Sequence, residues 1–230
     1  MSTYFQVLAF SIIIPLIFSF HDKINFYKKW PAFIKSNLLI TTPFLIWDEL
    51  FTRKGIWGFS HEHITGIYLW NLPVEEILFF TVIPYCCVFT YEVFLKLNIQ
   101  KSQIIQLLSL FLGIIILILG ILLSNKAYTS ITFISLGLLL IILFTQNKDF
   151  INTFYLTYIV ITASFFILVN GILTGGTVDI PPVWYNNTET LNIRIWTIPI
   201  EDFFYSMLLM LSNIWLFEMF KSQKINANKH

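Results

Sequence analysis

The sequence predicts an all-α polytopic membrane protein. Its plan is seven transmembrane helices in two parallel three-helix repeats, joined by a linker helix. Composition, long apolar runs and a motif that returns at a fixed offset carry this prediction. Of 230 residues, 57% are hydrophobic and 12% are charged, with mean hydropathy +0.74. Soluble domains average about 45–50% apolar and about 25% charged residues. So little charge cannot clothe a soluble globule, and disordered and collagen-like chains are excluded on the same ground. The net charge of +1 gives no electrostatic footprint for nucleic acid.

A membrane-crossing helix needs about 20 apolar residues. Seven stretches qualify, near 3–20, 32–51, 72–95, 103–124, 128–146, 151–173 and 197–220. Runs such as Gly113–Leu123 are continuously apolar rather than alternating, which favours helices over a β-barrel. The first run begins near Thr3 with no basic segment ahead of it, and reads as a span rather than a cleavable signal. Cys86 and Cys87 are adjacent inside an apolar run and read as small packing residues.

Lysine and arginine set the orientation. Lys23, Lys28, Lys29, Lys35, Lys96, Lys101, Lys148, Lys221, Lys224 and Lys229 fall on one side, 10 of the 14 basic residues. Arg53, Lys54, Lys126 and Arg194 fall on the other. This places the N-terminus outside, the C-terminus in the cytoplasm, and the connections 52–71 and 174–196 outside.

The repeat sets the domain plan. Asn71-Leu-Pro-Val-Glu-Glu-Ile-Leu-Phe-Phe is echoed by Thr197-Ile-Pro-Ile-Glu-Asp-Phe-Phe-Tyr. Pro73 maps to Pro199, Glu75 to Glu201, Glu76 to Asp202 and Phe79 to Tyr205, each 126 residues apart, and Glu92 maps to Glu218. Residues 1–100 then form the first repeat, 101–126 the linker helix and 127–230 the second repeat, as one integrated membrane domain. Parallel repeats place a site near the midline between them.

Pro73 and Pro199 are expected in the first helical turn, with Asn71 and Thr197 as caps. The acids behind them have an ordinary account, since acids in a first turn complement the helix dipole. Three features favour a functional account. The acids come as adjacent pairs, they recur in both copies, and they enter helices that otherwise carry aromatics and aliphatics. Glu75 and Glu201 are expected to face each other across the repeat axis, with Glu76 and Asp202 behind them or toward the loops. Two carboxyls in unequal surroundings supply a proton donor and a proton acceptor.

No Gly-x-Gly-x-x-Gly is present, so no Rossmann nucleotide site is written here. His61 and His63 lack the i, i+4 spacing of a helical zinc pair, and no metal site is expected. Arg53 and Arg194 are the outer arginines near the acids, placed either to pair with a carboxylate or to sit at the interface. Pro84 is expected to kink the third helix.

The stretch Trp47-Asp-Glu-Leu-Phe-Thr-Arg-Lys-Gly-Ile-Trp-Gly-Phe59, then Ile64-Thr-Gly-Ile-Tyr68 and Pro73-Val-Glu-Glu-Ile-Leu-Phe-Phe80, resembles the lycopene cyclase domain family. Pro199-Ile-Glu-Asp202 matches that family's second Pro-x-Glu-(Glu/Asp) motif. The resemblance covers essentially the whole chain and is closest to fused heterodimer-type carotenoid cyclases of the Bacteroidetes-like form. It implies a lycopene β-cyclase. Lycopene ψ-ends would close to β-rings through γ-carotene to β-carotene, with no net redox change. The implied class is an intramolecular lyase, an isomerase.

On this resemblance Glu75 and Glu201 act as acid and base, supported by Glu76 and Asp202; which glutamate donates is left open. Phe79, Phe80, Phe203, Phe204, Tyr205 and Trp57 would wall the cationic intermediate and bind the substrate. No cofactor is expected, with reduced flavin kept as an alternative. The implied partners are lycopene and γ-carotene in the bilayer, membrane lipid and carotenoid-pathway enzymes, with no nucleic acid. The implied location is the bacterial cytoplasmic membrane. Two rivals remain: a small transporter of the same plan with proton-coupled carboxylates, and a non-catalytic carotenoid- or lipid-binding scaffold.

Overall fold

A computed structural model describes residues 2–100, 102–146 and 149–227, with side chains as far as Ser222. Lys101, Lys148, Lys229 and the Lys224 side chain, all used in the orientation argument, lie outside the described residues. Eight α-helices are present among the described residues. They are α1 (Thr3–Phe18), α2 (Trp30–Arg53), α3 (Val74–Phe94), α4 (Gln103–Leu122), α5 (Ala127–Thr145), α6 (Phe150–Ile161), α7 (Ile167–Leu173) and α8 (Ile200–Ala227). A five-residue π-helical turn, Thr162–Phe166, fuses α6 and α7 into one rod.

Five stretches are long and apolar enough to cross a membrane: Val74–Leu97, Gln103–Leu122, Ala127–Thr145, Phe150–Leu173 and Ile200–Ser222. The seven spans expected from sequence are therefore matched by five on length and apolarity. The α1 helix is shorter, with 16 residues. It stops where Ser19 turns back on it, with both N–H and Oγ bonded to the Pro15 carbonyl. The α2 helix has 24 residues but carries polar groups on its inner face, where Ser36, Asn37, Thr41 and Asp48 are buried.

Those inward polar groups have a structural task. Pro84 has no N–H to offer the carbonyl four residues earlier, so α3 leaves the Phe80 oxygen free. Asn37 Nδ2 and Thr41 Oγ1 each donate to that oxygen at 2.9 Å. Pro84 thus sits inside a continuous helix, and α2 supplies the missing donors.

The packing centres on α3 and α8. The α3 helix packs on α1 and α2, α8 packs on α5 and α6, and α2 and α6 reach across to α8 and α3 respectively. Apart from a slight contact with α6, α4 packs on α5. A Cβ on Gly137 would stand 2.7 Å from the Gly113 carbonyl oxygen, so this glycine pair sets how closely α4 and α5 approach.

The two long connections fold alike. The first holds β1 (Trp57–Phe59), a 3₁₀ turn (His61–His63) and a hairpin of β2 (Tyr68–Leu69) and β3 (Leu72–Pro73). The second holds β4 (Val183–Tyr185), a 3₁₀ turn (Asn187–Glu189) and a hairpin of β5 (Arg194–Ile195) and β6 (Ile198–Pro199). Corresponding elements lie 126 residues apart, the same offset as the acid motifs.

Strands β1 and β4 pair antiparallel with Trp57 opposite Tyr185, Gly58 opposite Trp184 and Phe59 opposite Val183. A segment thus pairs with its own counterpart. Gly58 is needed there, because a Cβ would lie 2.4 Å from the Trp184 ring. Both hairpins turn on a tryptophan in the left-handed region, Trp70 at φ 57° and Trp196 at φ 58°. That backbone is unusual for a bulky side chain.

These hairpins correct the expected helix entrances. Pro73 and Pro199 close the hairpins, and the helices begin one residue later. Asn71 and Thr197 are not caps. Asn71 donates through its backbone N–H (2.9 Å) and Nδ2 (2.5 Å) to Glu49, while Thr197 bonds Thr174 at 2.8 Å.

The opposite end of the bundle carries a charge network. The buried Glu92 pairs with Lys29 and, at 2.8 Å, with Lys221. Lys221 also pairs with Glu218, which accepts the Tyr91 hydroxyl proton at 3.0 Å. The acids that repeat at the far ends of α3 and α8 thus tie the two helices together.

Candidate active site

The four motif acids sort into two pairs, and the sorting differs from the expected one. Glu75 and Glu201 are fully buried, each within its own half. Glu75 Oε1 accepts from Ser2 Oγ at 2.7 Å and from the Thr65 N–H at 2.6 Å. Glu201 Oε1 accepts from Thr129 Oγ1 at 2.6 Å and from the Leu191 N–H at 2.6 Å. Thr65 and Leu191 are again 126 residues apart. Each glutamate therefore bridges the start of one helix to the loop ahead of its hairpin. The remaining oxygen, Oε2, is buried without a partner in both.

Glu75 and Glu201 do not face each other across a shared space. Glu76 and Asp202 do, and this corrects the sequence-based placement. Successive helical residues point about 100° apart, so only one acid of each pair can face the centre. The bond from the loop ahead of the hairpin captures the first acid, which turns the second inward.

Glu76 and Asp202 line a cavity bounded by α1, α2, α3, α5, the α6–α7 rod, α8, β1 and β4. Glu76 Oε2 accepts the hydroxyl proton of Tyr4, on α1. Asp202 accepts three bonds: from Tyr128 on α5 at 2.6 Å, from Asn170 Nδ2 on α7 at 2.6 Å, and from Tyr185 on β4 at 2.9 Å. Burial, reinforced by the Asp202 charge, pushes the Tyr185 phenol well above its ordinary range, so it remains a donor. A third acid, Asp48, enters the cavity from α2. It is 1% exposed and accepts the Trp57 indole N–H at 2.5 Å.

The π-turn helps to shape this wall. Tyr158 and Asn170 are 12 residues apart, which would put them about 120° apart on a regular α-helix. A π-turn absorbs one extra residue, reducing the separation to about 20°. Both side chains consequently line the cavity.

The candidate aromatics divide. Phe79, Tyr205 and Trp57 line the cavity. Phe80, Phe203 and Phe204 are not among its lining residues. Phe80 packs on Phe44, Phe203 on Phe166 at 4.9 Å, and Phe204 on Phe133 at 4.7 Å between ring centroids. Within the wall, Tyr205 lies 5.2 Å from Trp47, and Trp57 lies 5.0 Å from Tyr128.

Neither candidate arginine reaches the acids. Arg53 is exposed and borders an outer groove instead. Arg194 donates to the Thr197 carbonyl at 2.6 Å and to Asn187 Oδ1 at 3.1 Å. It lies over the Tyr185 ring at 5.8 Å, so it touches the site only through that tyrosine. His61 and His63 take separate partners, Tyr68 and Thr3. Cys86 and Cys87 are free thiols on the cavity wall.

The residues missed by sequence reasoning are Tyr4, Asp48, Tyr128 and Tyr185. Asp48 had a usable signal, since with Glu49 it forms an adjacent acid pair within an expected span. The contacts of Tyr4 and Tyr128 with the motif acids bridge 72 and 74 residues of sequence, beyond any local pattern.

Comparison with known proteins places this geometry in a family. The lycopene cyclase family model matches residues 1–94 and 125–220. A bifunctional lycopene cyclase/phytoene synthase of Aspergillus niger is 32% identical over 59 residues, covering 26% of this chain and 10% of the fungal protein. The matched stretch is therefore a small part of that relative. No solved structure matches the chain. The double-segment match takes in both acid motifs and both hairpins, and the chain belongs to the lycopene cyclase family.

Proposed function

We propose that this protein is a lycopene β-cyclase, an intramolecular lyase that closes lycopene ψ-ends to β-rings through γ-carotene to β-carotene. The observation that carries this reading is the aromatic-walled cavity where Glu76 and Asp202 meet. Cyclisation begins when a proton adds to the terminal double bond. The neighbouring alkene attacks the resulting cation, and a proton then leaves the ring. One proton enters and one leaves, so no oxidant or reductant is consumed. Glu76 and Asp202 supply the donor and acceptor, while Glu75 and Glu201 hold the loops that orient them. The faces of Phe79, Tyr205 and Trp57 stabilise the passing cation.

Other features fit the same reading. The family match in two segments leaves 95–124 unmatched, which supports two three-helix repeats joined by α4 as a linker. The 126-residue spacing of strands, turns and hairpins supports it as well. The α6–α7 rod is little covered, with 17% of its most apolar window buried, and Phe165 on it is 53% exposed while lining the cavity. This flank is the lateral entrance for a C40 hydrocarbon from the bilayer. The protein sits in the bacterial cytoplasmic membrane as seven spans, with its N-terminus outside, alongside other enzymes of carotenoid synthesis. The reaction balances without a cofactor; reduced flavin is tested as an added component. No observation favours a transporter.

Expression in lycopene-accumulating bacteria, with pigments separated by chromatography, tests the reading. Cyclic carotenes are expected. Unchanged lycopene, with and without supplied reduced flavin, would overturn it.

A further inference from the structure

Asp48 has no acidic counterpart in the other half, since the residue 126 positions later is Thr174. It is 1% exposed, its Oδ1 holds the Trp57 indole, and its Oδ2 is buried without a hydrogen-bond partner. The Glu76 carboxyl lines the same cavity. Two carboxyls confined together in an apolar cavity cannot both ionise cheaply. Among the described residues lining the cavity there is no lysine, arginine or histidine to neutralise them.

Asp202 stands in different surroundings. Three neutral donors converge on it, from Tyr128, Tyr185 and Asn170. Arg194 lies over the Tyr185 ring behind one of these donors. Hydrogen bonds of this kind favour a carboxylate. The other titratable groups lining the cavity are phenols and thiols, Tyr4, Tyr158, Tyr205, Cys86 and Cys87, with Glu49, Glu75 and Glu201 outside the lining.

We infer that Asp48 and Glu76 share one proton and form the donor end of the site, with Asp202 as the acceptor end. This rests on the cyclase reading and assigns its direction. The shared proton passes to the terminal carbon of the ψ-end, forming a C–H bond and leaving a tertiary cation. Attack by the neighbouring double bond forms the ring C–C bond. A ring C–H bond then breaks, its electron pair becomes the ring double bond, and Asp202 takes the proton. Return of that proton to the Asp48–Glu76 pair resets the site. Asp48 is a positioning residue, acting through Glu76.

Infrared spectroscopy of the resting full-length chain tests the shared proton without substrate. In the carbonyl-stretch band of protonated carboxyls, Asp48→Asn and Glu76→Gln should each remove the intensity of one carboxyl. The double variant should remove no more than either single change, and Asp202→Asn should remove none. A band unchanged in either single variant, or losses that add in the double, overturns the inference. If Asp48→Asn fails to fold, Asp48→Glu and Glu76→Gln decide: the first must keep the band and the second must lose one carboxyl. Lycopene conversion is scored separately on the same preparations. Failure of the unsubstituted chain to cyclise lycopene would overturn the cyclase reading and leave the infrared result standing.

Discussion

The starts of α3 and α8 are built alike and furnished differently. Glu75 and Glu201 each accept from one hydroxyl and one loop N–H ten residues earlier, with distances that agree within 0.1 Å. Their neighbours diverge. Glu76 meets a phenol and shares its cavity with a second acid, whereas Asp202 meets two phenols and an amide. Repetition therefore preserved the frame and released the chemistry. Unequal surroundings of this kind fix which acid gives the proton and which takes it.

The largest expected effect tests whether the inward acids do the chemistry. Glu76→Gln and Asp202→Asn should each lower lycopene conversion by about 10²–10⁴-fold, the usual contribution of a positioned acid or base. Immunoblots of isolated membranes should show normal protein levels. Normal conversion in either variant would break the assignment. Glu75→Gln and Glu201→Gln should cost less, within about tenfold, because the amide oxygen can still accept the Oε1 bonds. Alanine at either position should strand a loop N–H and destabilise the fold by about 1–3 kcal/mol. Melting in detergent should show equal losses in the two halves, and unequal losses would mean that the frames are not equivalent.

Much of the frame was legible in the sequence, and less of the site. The acid motifs, their offset and the apolar helices all follow from residue order. Which acid of a pair turns inward does not, because it depends on a hairpin only two residues long per strand. Nothing in Leu72 or Pro73 marks that hairpin without the partner strand. The offset, applied to the outer connections, would have matched Trp57–Phe59 with Val183–Tyr185 and pointed to Tyr185. The shortness of α1 and the inward polarity of α2 were hidden for a related reason. Total apolarity does not report which face of a helix is buried.

The far ends of the same helices give a smaller contrast. Glu92→Gln should remove the acid shared by Lys29 and Lys221. Both lysines are partly exposed, at 34% and 20%, so solvent offsets part of the loss. A cost of about 1–2 kcal/mol is expected, well below that of a fully buried broken pair. It should appear as a lower melting temperature, with pigment turnover per folded molecule retained. A loss of turnover without loss of stability would mean that the two ends are coupled.

The smallest effect separates the two carboxyl environments most finely. Tyr185→Phe deletes one of three donors to Asp202 and leaves Tyr128 and Asn170 in place. A single hydrogen bond of this kind contributes about 0.5–1.5 kcal/mol, so conversion should fall by about 2–10-fold. Tyr4→Phe takes from Glu76 its phenol donor, in a cavity that also holds Asp48, so the loss should be greater. Initial rates of the two variants, measured on the same lycopene-loaded membranes, decide the comparison. If Tyr185→Phe is the more damaging, Asp202 depends on a single donor, and the three-donor environment is not what distinguishes the acceptor end.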